Sequence, residues 1–478
     1  MRIEEKKLEL RQLVNSNKRH ERGDLERQYK NRIKIDPLLN RKIVSFQANK
    51  NIPFYRWYEY REGFSAQIVK MLLKESQKKS GTVLDPFAGV GTTLFAARDM
   101  GFNSFGIELL PIGEFVFKSR LAVDGTDSNK LLHYLKLLRT LDFSKLPVNE
   151  NRMFKHIPIT QKAFSQINEY KINAFLNHLE KIKDSKIQQI LRFACFCVLE
   201  NISYTSKDGQ FLRWDSRAGK SKSNFNKHKI HTFEEALIEK LDQIIQDIRN
   251  SEVFQHSLSP KGSMTLKTGS SLEILPTLED ESFDLVITSP PYCNRYDYTR
   301  TYALELAYLG INDQNVKNLR QNLLSCTVEN KDKKEFLQTI YSIKNRMKVF
   351  RKCEGMFYST PALQEILTIL GKYLDNQLLN NTGIYRMVRN YFYEHSFIIS
   401  ELARILKNNG RIYYINDNVR FAGEIIPVDL ILSKFAEKAG LTVRKISILE
   451  NPKGNSSQQM SVFGRQTLRK CIYHWEKH

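Results

Sequence analysis

The sequence predicts an α/β fold built on a doubly wound, mostly parallel sheet that is interrupted by helical insertions. Three stretches carry that expectation. GTVLDPFAGVGTTLFAARDMG (81–101) runs from a short β-branched segment through a Gly-rich turn into an Ala-rich helix, and NSFGIEL follows as a second strand. This is one βαβ unit, which implies parallel pairing with a right-handed crossover. MTLKTGSSLEILPTLEDESFDLVITSPPY (264–292) repeats strand, helix and strand. SFIISELARILKNNGRIYYIND (396–417) reads as helix, Asn-Asn-Gly turn and strand.

The remaining elements fall around these units. Residues 1–45, rich in Lys, Arg, Glu and Gln, read as a basic N-terminal arm, either a solvated face or a DNA contact. Residues 46–118 form the first part of the main domain. Its aromatic cluster PFYRWYEY precedes a helix over SAQIVKMLLKE, with Ser65 as N-cap. Residues 119–261 are a mostly helical, basic insertion with a polar loop at TSKDGQFLRWDSRAGKSKSNFNKHK. Residues 262–310 return to the main domain, and 311–385 form a second helical insertion. Either insertion is a candidate for DNA recognition. Residues 386–478 complete the domain with the helix DLILSKFAEKAG and the strands LTVRKISIL and LRKCIYHWEK.

Composition narrows the function. The 478 residues carry 74 Lys and Arg against 52 Asp and Glu, a formal net charge of +22. Such an excess suits a polyanion, because each neutralised phosphate releases condensed counterions. There is no apolar run long enough to span a bilayer. The N-terminal MRIEEKKLELRQLV lacks an apolar signal segment, so a soluble cytoplasmic protein is expected, without a membrane partner. The six cysteines include no Cys-x-x-Cys pair, so no metal site and reduced, packed thiols are expected.

Two motifs carry the chemistry. In Asp85-Pro86-Phe87-Ala88-Gly89-Val90-Gly91-Thr92-Thr93, two glycines at a strand's carboxyl end let backbone approach a ligand. The following helix turns its free N–H groups to the same crevice. Glu108, after the next strand, is placed to accept hydrogen bonds from ribose hydroxyls. Taken alone, the motif also reads as a structural αβ turn with a surface Glu. The second motif, Thr288-Ser289-Pro290-Pro291-Tyr292, follows the strand FDLVI. Its prolines remove two N–H donors and stiffen an extended loop, leaving carbonyls free. Tyr292 offers a face on which a flipped base can stack. Alone, either motif is better read as structural, this one as a proline-rich loop capped by a core tyrosine. In the polar loop, Arg213, Trp214, Arg217, Lys220 and Lys222 mix cations with aromatic surface, a solvated loop or a DNA contact.

Together, DPFAGVGTT and TSPPY resemble the amino-methyltransferases of DNA, particularly the site-specific cytosine-N4 type of restriction–modification systems. RWYEYREGFSAQIVKMLL, SYTSKDGQFLRWD, DYTRTYALELAYLG and RILKNNGRIYYINDN are also similar to family segments. The resemblance implies a Rossmann-like S-adenosylmethionine-dependent methyltransferase fold with helical insertions. It implies S-adenosyl-L-methionine as cofactor, bound by Phe64, Ser65, Asp85, Pro86, Phe87, Gly89, Gly91, Thr92, Thr93 and Glu108. Gly269-Ser270-Ser271 stands where family members often have Gly-Asp-Ser, a departure that removes the acidic contact to the adenine ring and leaves Ser270 as a weaker partner in its place.

The resemblance further implies that Ser289, Pro290, Pro291 and Tyr292 hold the target base, Ser in the first position being typical of cytosine-N4 members. The implied substrate is double-stranded DNA, with a cognate restriction endonuclease as functional partner. No Pro-Cys dipeptide occurs, which disfavours covalent carbon-5 methylation, and Cys293 is expected to be a packed thiol. Adenine-N6 methylation is the alternative, followed by RNA base methylation and by a catalytically silent DNA-binding subunit.

Overall fold

The computed structural model describes residues 20–149, 154–208, 211–220, 224–250, 262–450, 464 and 466–478. The strands among them are β1 (Ile33–Ile35), β2 (Thr82–Asp85), β3 (Asn103–Glu108), β4 (Thr205–Asp208), β5 (Phe211–Trp214) and β6 (Met264–Thr268). They continue with β7 (Phe283–Thr288), β8 (Leu406–Asp417), β9 (Val419–Phe421), β10 (Glu424–Ile426), β11 (Leu441–Ile448) and β12 (Lys470–Lys477). Eight strands form one sheet in the order β1-β11-β12-β8-β7-β2-β3-β6. All neighbours pair in parallel except β12, which runs antiparallel to both β11 and β8.

This is the Rossmann-like methyltransferase architecture that the sequence predicts. The chain steps outward from β2 through β3 to β6, then returns to β7 and β8 on the other side of β2. Loops leaving β2 and β7 therefore diverge at a topological switch point, where open α/β sheets place their ligand crevice.

The strands feed two cores because successive side chains point to opposite faces. Val83, Leu285, Ile287, Tyr413 and Ile415 face one core, and Leu84, Val286, Ile412 and Tyr414 face the other. The first core holds the helices Ala66–Glu75 and Thr92–Asp99 and extends into the first insertion. There Gln166–Leu179, Ser185–Val198 and Phe233–Asn250 bury their apolar stripes. The second core takes Gly383–Ile405, Val428–Ala439 and the second insertion, including Met347–Tyr358 and Pro361–Asp375. Each fully buried Ile, Leu or Phe contributes about 1.5–3 kcal/mol, so the insertions thicken the two layers as well as adding surface.

Three segments differ from the sequence reading. β8 starts at Leu406, directly after the helix Gly383–Ile405, and runs through the Asn-Asn-Gly stretch that was expected to be a turn. The described part of the N-terminal arm is woven into the domain. Helix Glu21–Tyr29 buries Leu25 and Tyr29, Arg22 bonds Glu365 at 2.7 Å and Glu424 at 2.8 Å, and β1 extends the sheet beside β11. A three-residue strand is too short to show an alternation. The polar loop contains the antiparallel hairpin β4–β5, whose alternation is hidden by its charged residues. Residues 1–19 lie outside the described residues.

Candidate active site

β2 ends at Asp85, and the chain passes through the Gly-rich turn into the helix Thr92–Asp99. Asp85 is buried and accepts three hydrogen bonds. Thr93 Oγ1 donates at 2.6 Å, Thr288 Oγ1 at 2.7 Å and Phe87 N–H at 3.1 Å. The carboxylate thus ties the turn, the following helix and the end of β7 together. Burial nevertheless pushes its pKa up to about 6, against the pull of the Thr93, Thr288 and Phe87 donors.

The glycines follow from the turn. Gly89 has φ +53°, and a Cβ there would lie 3.1 Å from the Tyr60 ring. Gly91 has φ +80°, and its Cβ would lie 2.8 Å from Phe117. Both conformations strain a residue with a side chain. Glu108, at the end of β3, accepts Gly89 N–H and Leu110 N–H, each at 2.7 Å. Burial pushes its pKa up to about 7, although the backbone N–H groups of Leu110, Gly89 and Leu109 favour the charged form.

These elements surround a partly enclosed cleft. Phe64, Asp85, Pro86, Phe87, Gly89, Thr92, Glu108, Ser270, Ser289 and Pro291 all line it. The structure therefore brings the Gly-rich turn and the Ser-Pro-Pro-Tyr loop to one crevice. The other candidates sit behind it. Ser65 caps the helix Ala66–Glu75 by accepting Ile68 N–H at 3.3 Å and donates to Ile43 O at 2.7 Å. Gly91 shapes the helix start, and Thr93 is turned to Asp85. Pro290 and Tyr292 are not among the lining residues. Tyr292 Oη instead receives a hydrogen bond from Ser289 Oγ at 3.1 Å. Ser270 Oγ donates to Asn322 O at 3.3 Å. Cys293 is fully buried.

Several lining residues escaped the sequence reading. Glu62 and Tyr60 come from the aromatic segment, Tyr298 from the stretch after the Pro-Pro-Tyr loop, and Asn322, Leu323 and Leu324 from the second insertion. The acidic residue beside Phe64 was a signal for Glu62; the insertion residues arrive by long-range packing, which leaves no local signature. Burial pushes the Glu62 carboxyl up to about 7, while the Tyr302 hydroxyl pulls it down.

The cationic loop is partly occupied by its own contacts. Arg213 pairs with Asp208 at 3.2 Å and lies 4.1 Å from the Phe225 ring. Arg217 grips buried Asp215 with two bonds of 2.7 Å, which holds that carboxyl far below its usual range. Lys220 lies 4.5 Å from the Trp214 ring and donates to Pro158 O at 3.1 Å. Lys222 lies outside the described residues. β5 packs against the helical turn Tyr298–Thr301, so the hairpin adjoins the cleft. Among the described residues, no group of three or more His, Cys, Asp or Glu is arranged to hold a metal, and no helix is long and apolar enough to cross a membrane.

A switch-point crevice with a Gly-rich turn, an acidic residue on the neighbouring strand and a Ser-Pro-Pro-Tyr loop defines the class as an amino-methyltransferase. Comparison with known proteins agrees. The family model described as DNA methylase, covering N6 and N4 enzymes, matches residues 4–111. The chain is 44% identical over 462 residues to the Type II methyltransferase M.AvaI of Nostoc sp., covering 95% of this chain and 92% of that protein. It is 40% identical over 475 residues to the Type II methyltransferase M.BsoBI of Geobacillus stearothermophilus, covering 96% and 92%. No solved structure matches significantly. The chain belongs to the Type II DNA methyltransferases of restriction–modification systems.

Proposed function

We propose that this methyltransferase transfers a methyl group from S-adenosyl-L-methionine to the exocyclic N4 of cytosine in double-stranded DNA, protecting sites that a cognate restriction endonuclease cuts. The observation that carries the reading is Ser289 lining the same cleft as Gly89 and Glu108, with Asp85 bonded to both motifs.

The cleft fits the cofactor's parts. Ile107, Leu109, Leu110, Leu272 and Leu323 offer apolar surface for a flat heterocycle. Glu108 retains acceptor capacity for a ribose hydroxyl beyond its backbone donors. The cofactor supplies an activated methyl group, so neither a metal nor a protein nucleophile is needed.

The residues act on the base. A cytosine amino nitrogen is a weak nucleophile because its lone pair is delocalised into the ring. Ser289 Oγ spends its hydrogen on Tyr292 Oη, which leaves its lone pairs to accept from that amino group. Drawing on the N–H restores tetrahedral character at nitrogen, and the stiff Pro290-Pro291 segment fixes its position. The basic surface, including Arg213 and Lys220 of the hairpin loop, offers phosphate contacts that offset the few kcal/mol needed to extrude a base.

The test is incubation of the pure protein with labelled cofactor and duplex DNA, followed by digestion to nucleosides. N4-methylcytosine is expected. N6-methyladenine alone contradicts the base assignment, and labelling of RNA alone contradicts the substrate class.

A further inference from the structure

Two of the three carboxylates in the cleft are engaged by the protein's own framework. Asp85 is used by Thr93, Thr288 and Phe87, and Glu108 accepts the backbone N–H groups of Gly89 and Leu110. Glu62 is different. Its side-chain donors are two tyrosine hydroxyls, Tyr296 on Oε1 and Tyr302 on Oε2, and its own backbone N–H also turns to the carboxylate. Both tyrosines are fixed in turn. Tyr302 stacks on Tyr60 with ring centres 5.2 Å apart and its hydroxyl accepts Arg61 N–H at 3.2 Å. Tyr296 packs edge-on against Tyr298 at 4.9 Å. The carboxylate is therefore held in place with acceptor capacity remaining beyond these three donors.

The cations that act on Glu62 are committed elsewhere. Lys207 bonds Glu305 and lies 3.7 Å from Glu200, and Arg61 bonds Glu200 at 3.0 Å. Glu62 thus lines a largely apolar cleft as an acceptor with no ion pair of its own among the described residues. An ionised carboxylate in such surroundings is costly until a cation joins it.

We propose that Glu62 binds the α-ammonium group of the cofactor's amino-acid part, a role that rests on the cofactor reading above. The cofactor offers two cationic groups, and hydrogen-bonding chemistry separates them. The sulfonium has no N–H to give, whereas an ammonium has three, one of which can meet the acceptor capacity left on the carboxylate. Glu62 is then a specificity-determining residue: it selects an adenosyl ligand that carries the amino-acid tail over one that does not.

Calorimetric binding of three ligands to the full chain tests this, using wild type, Glu62→Gln and Tyr302→Phe. The ligands are S-adenosyl-L-methionine, S-adenosyl-L-homocysteine, which keeps the ammonium but lacks the sulfonium, and 5′-deoxy-5′-methylthioadenosine, which lacks the amino-acid tail. Glu62→Gln is expected to weaken the first two alike, by about ten- to a hundredfold, the worth of a hydrogen bond between charged groups. The third is expected to bind both proteins equally, which also reports that the variant is folded. Tyr302→Phe is expected to show a smaller loss of the same pattern. A loss confined to S-adenosyl-L-methionine would assign Glu62 to the sulfonium and overturn the inference. Equal loss of all three ligands, or no loss at all, would also overturn it. Failure of all three ligands to bind wild type would instead remove the cofactor reading, and the inference with it.

Discussion

Replacing Asp85 with Ala should disconnect the two halves of the site while leaving the protein folded. The substitution strips the acceptor from Thr93 Oγ1, Thr288 Oγ1 and Phe87 N–H. Each buried donor left unmade costs about 1–3 kcal/mol. Thr93 has a local remedy, since a helical threonine can donate to the carbonyl one turn back. Thr288 sits at a strand end and has no such helical carbonyl. The expected destabilisation is therefore about 2–4 kcal/mol, below the roughly 5–15 kcal/mol typical of folded domains. The effect on the cleft should be larger, because Gly89 and Ser289 lose their common anchor. We expect S-adenosyl-L-methionine affinity to fall about a hundredfold or more, equivalent to roughly 2.7 kcal/mol. Urea unfolding gives the first quantity and calorimetry the second. Thr288→Val, which removes only the link to β7, should lower turnover more than cofactor affinity. An Asp85→Ala protein that folds and binds the cofactor as wild type does would refute the clamp.

Other consequences are equally direct. Gly89→Arg should abolish cofactor binding, because φ is +53° and Tyr60 lies 3.1 Å from the first added atom; a folded variant with retained affinity, measured by calorimetry, would contradict the placement of the turn. The Asp85 carboxyl, raised to about 6, holds its proton more tightly folded than unfolded, where about 3.9 is usual, so it should make stability fall as pH rises from about 4 to about 6 and level off above. Asp85→Asn should remove that component, so its urea midpoint should drop less than that of wild type between pH 5 and pH 7; equal drops would mean that the carboxyl is ionised throughout. Neutralising Arg213 and Lys220 together should flatten the dependence of DNA affinity on salt by about 0.9 in log–log slope for each lost phosphate contact, whereas Arg217→Gln, whose charge is matched by Asp215, should leave the slope unchanged. An unchanged slope in the double variant would return the loop to a structural role.

The middle of the sheet was legible because its signals are local. A β-branched run, a Gly-rich turn and an Ala-rich helix state β2 and its crossover outright, and FDLVI before Ser289 states β7. The edge was less legible. β1 is three residues long, and its pairing with β11 joins positions more than 400 residues apart, as with Ile33 and Ile446. The antiparallel insertion of β12 between β11 and β8 is likewise a property of pairing, which no single segment encodes. The site divides in the same way. The motifs named Gly89, Glu108, Ser289 and Pro291 as ligand-facing groups, and all four line the cleft. They did not show that Thr93 and Ser65 serve neighbouring atoms of the fold, since a hydroxyl's partner depends on packing. The Asn322–Leu324 segment reaches the cleft only through the folded chain.

The central claim is that one cleft holds the methyl donor on the Gly-rich side and the target base at Ser289. The most direct measurement separates these functions in Ser289→Ala, by comparing the calorimetric Kd for S-adenosyl-L-methionine with the single-turnover rate of cytosine methylation in duplex DNA. The account predicts a Kd within about threefold of wild type and a rate lowered by about tenfold or more, as expected when a hydrogen bond to the reacting amino group is lost. An unchanged rate, or a loss seen entirely in Kd, would contradict it.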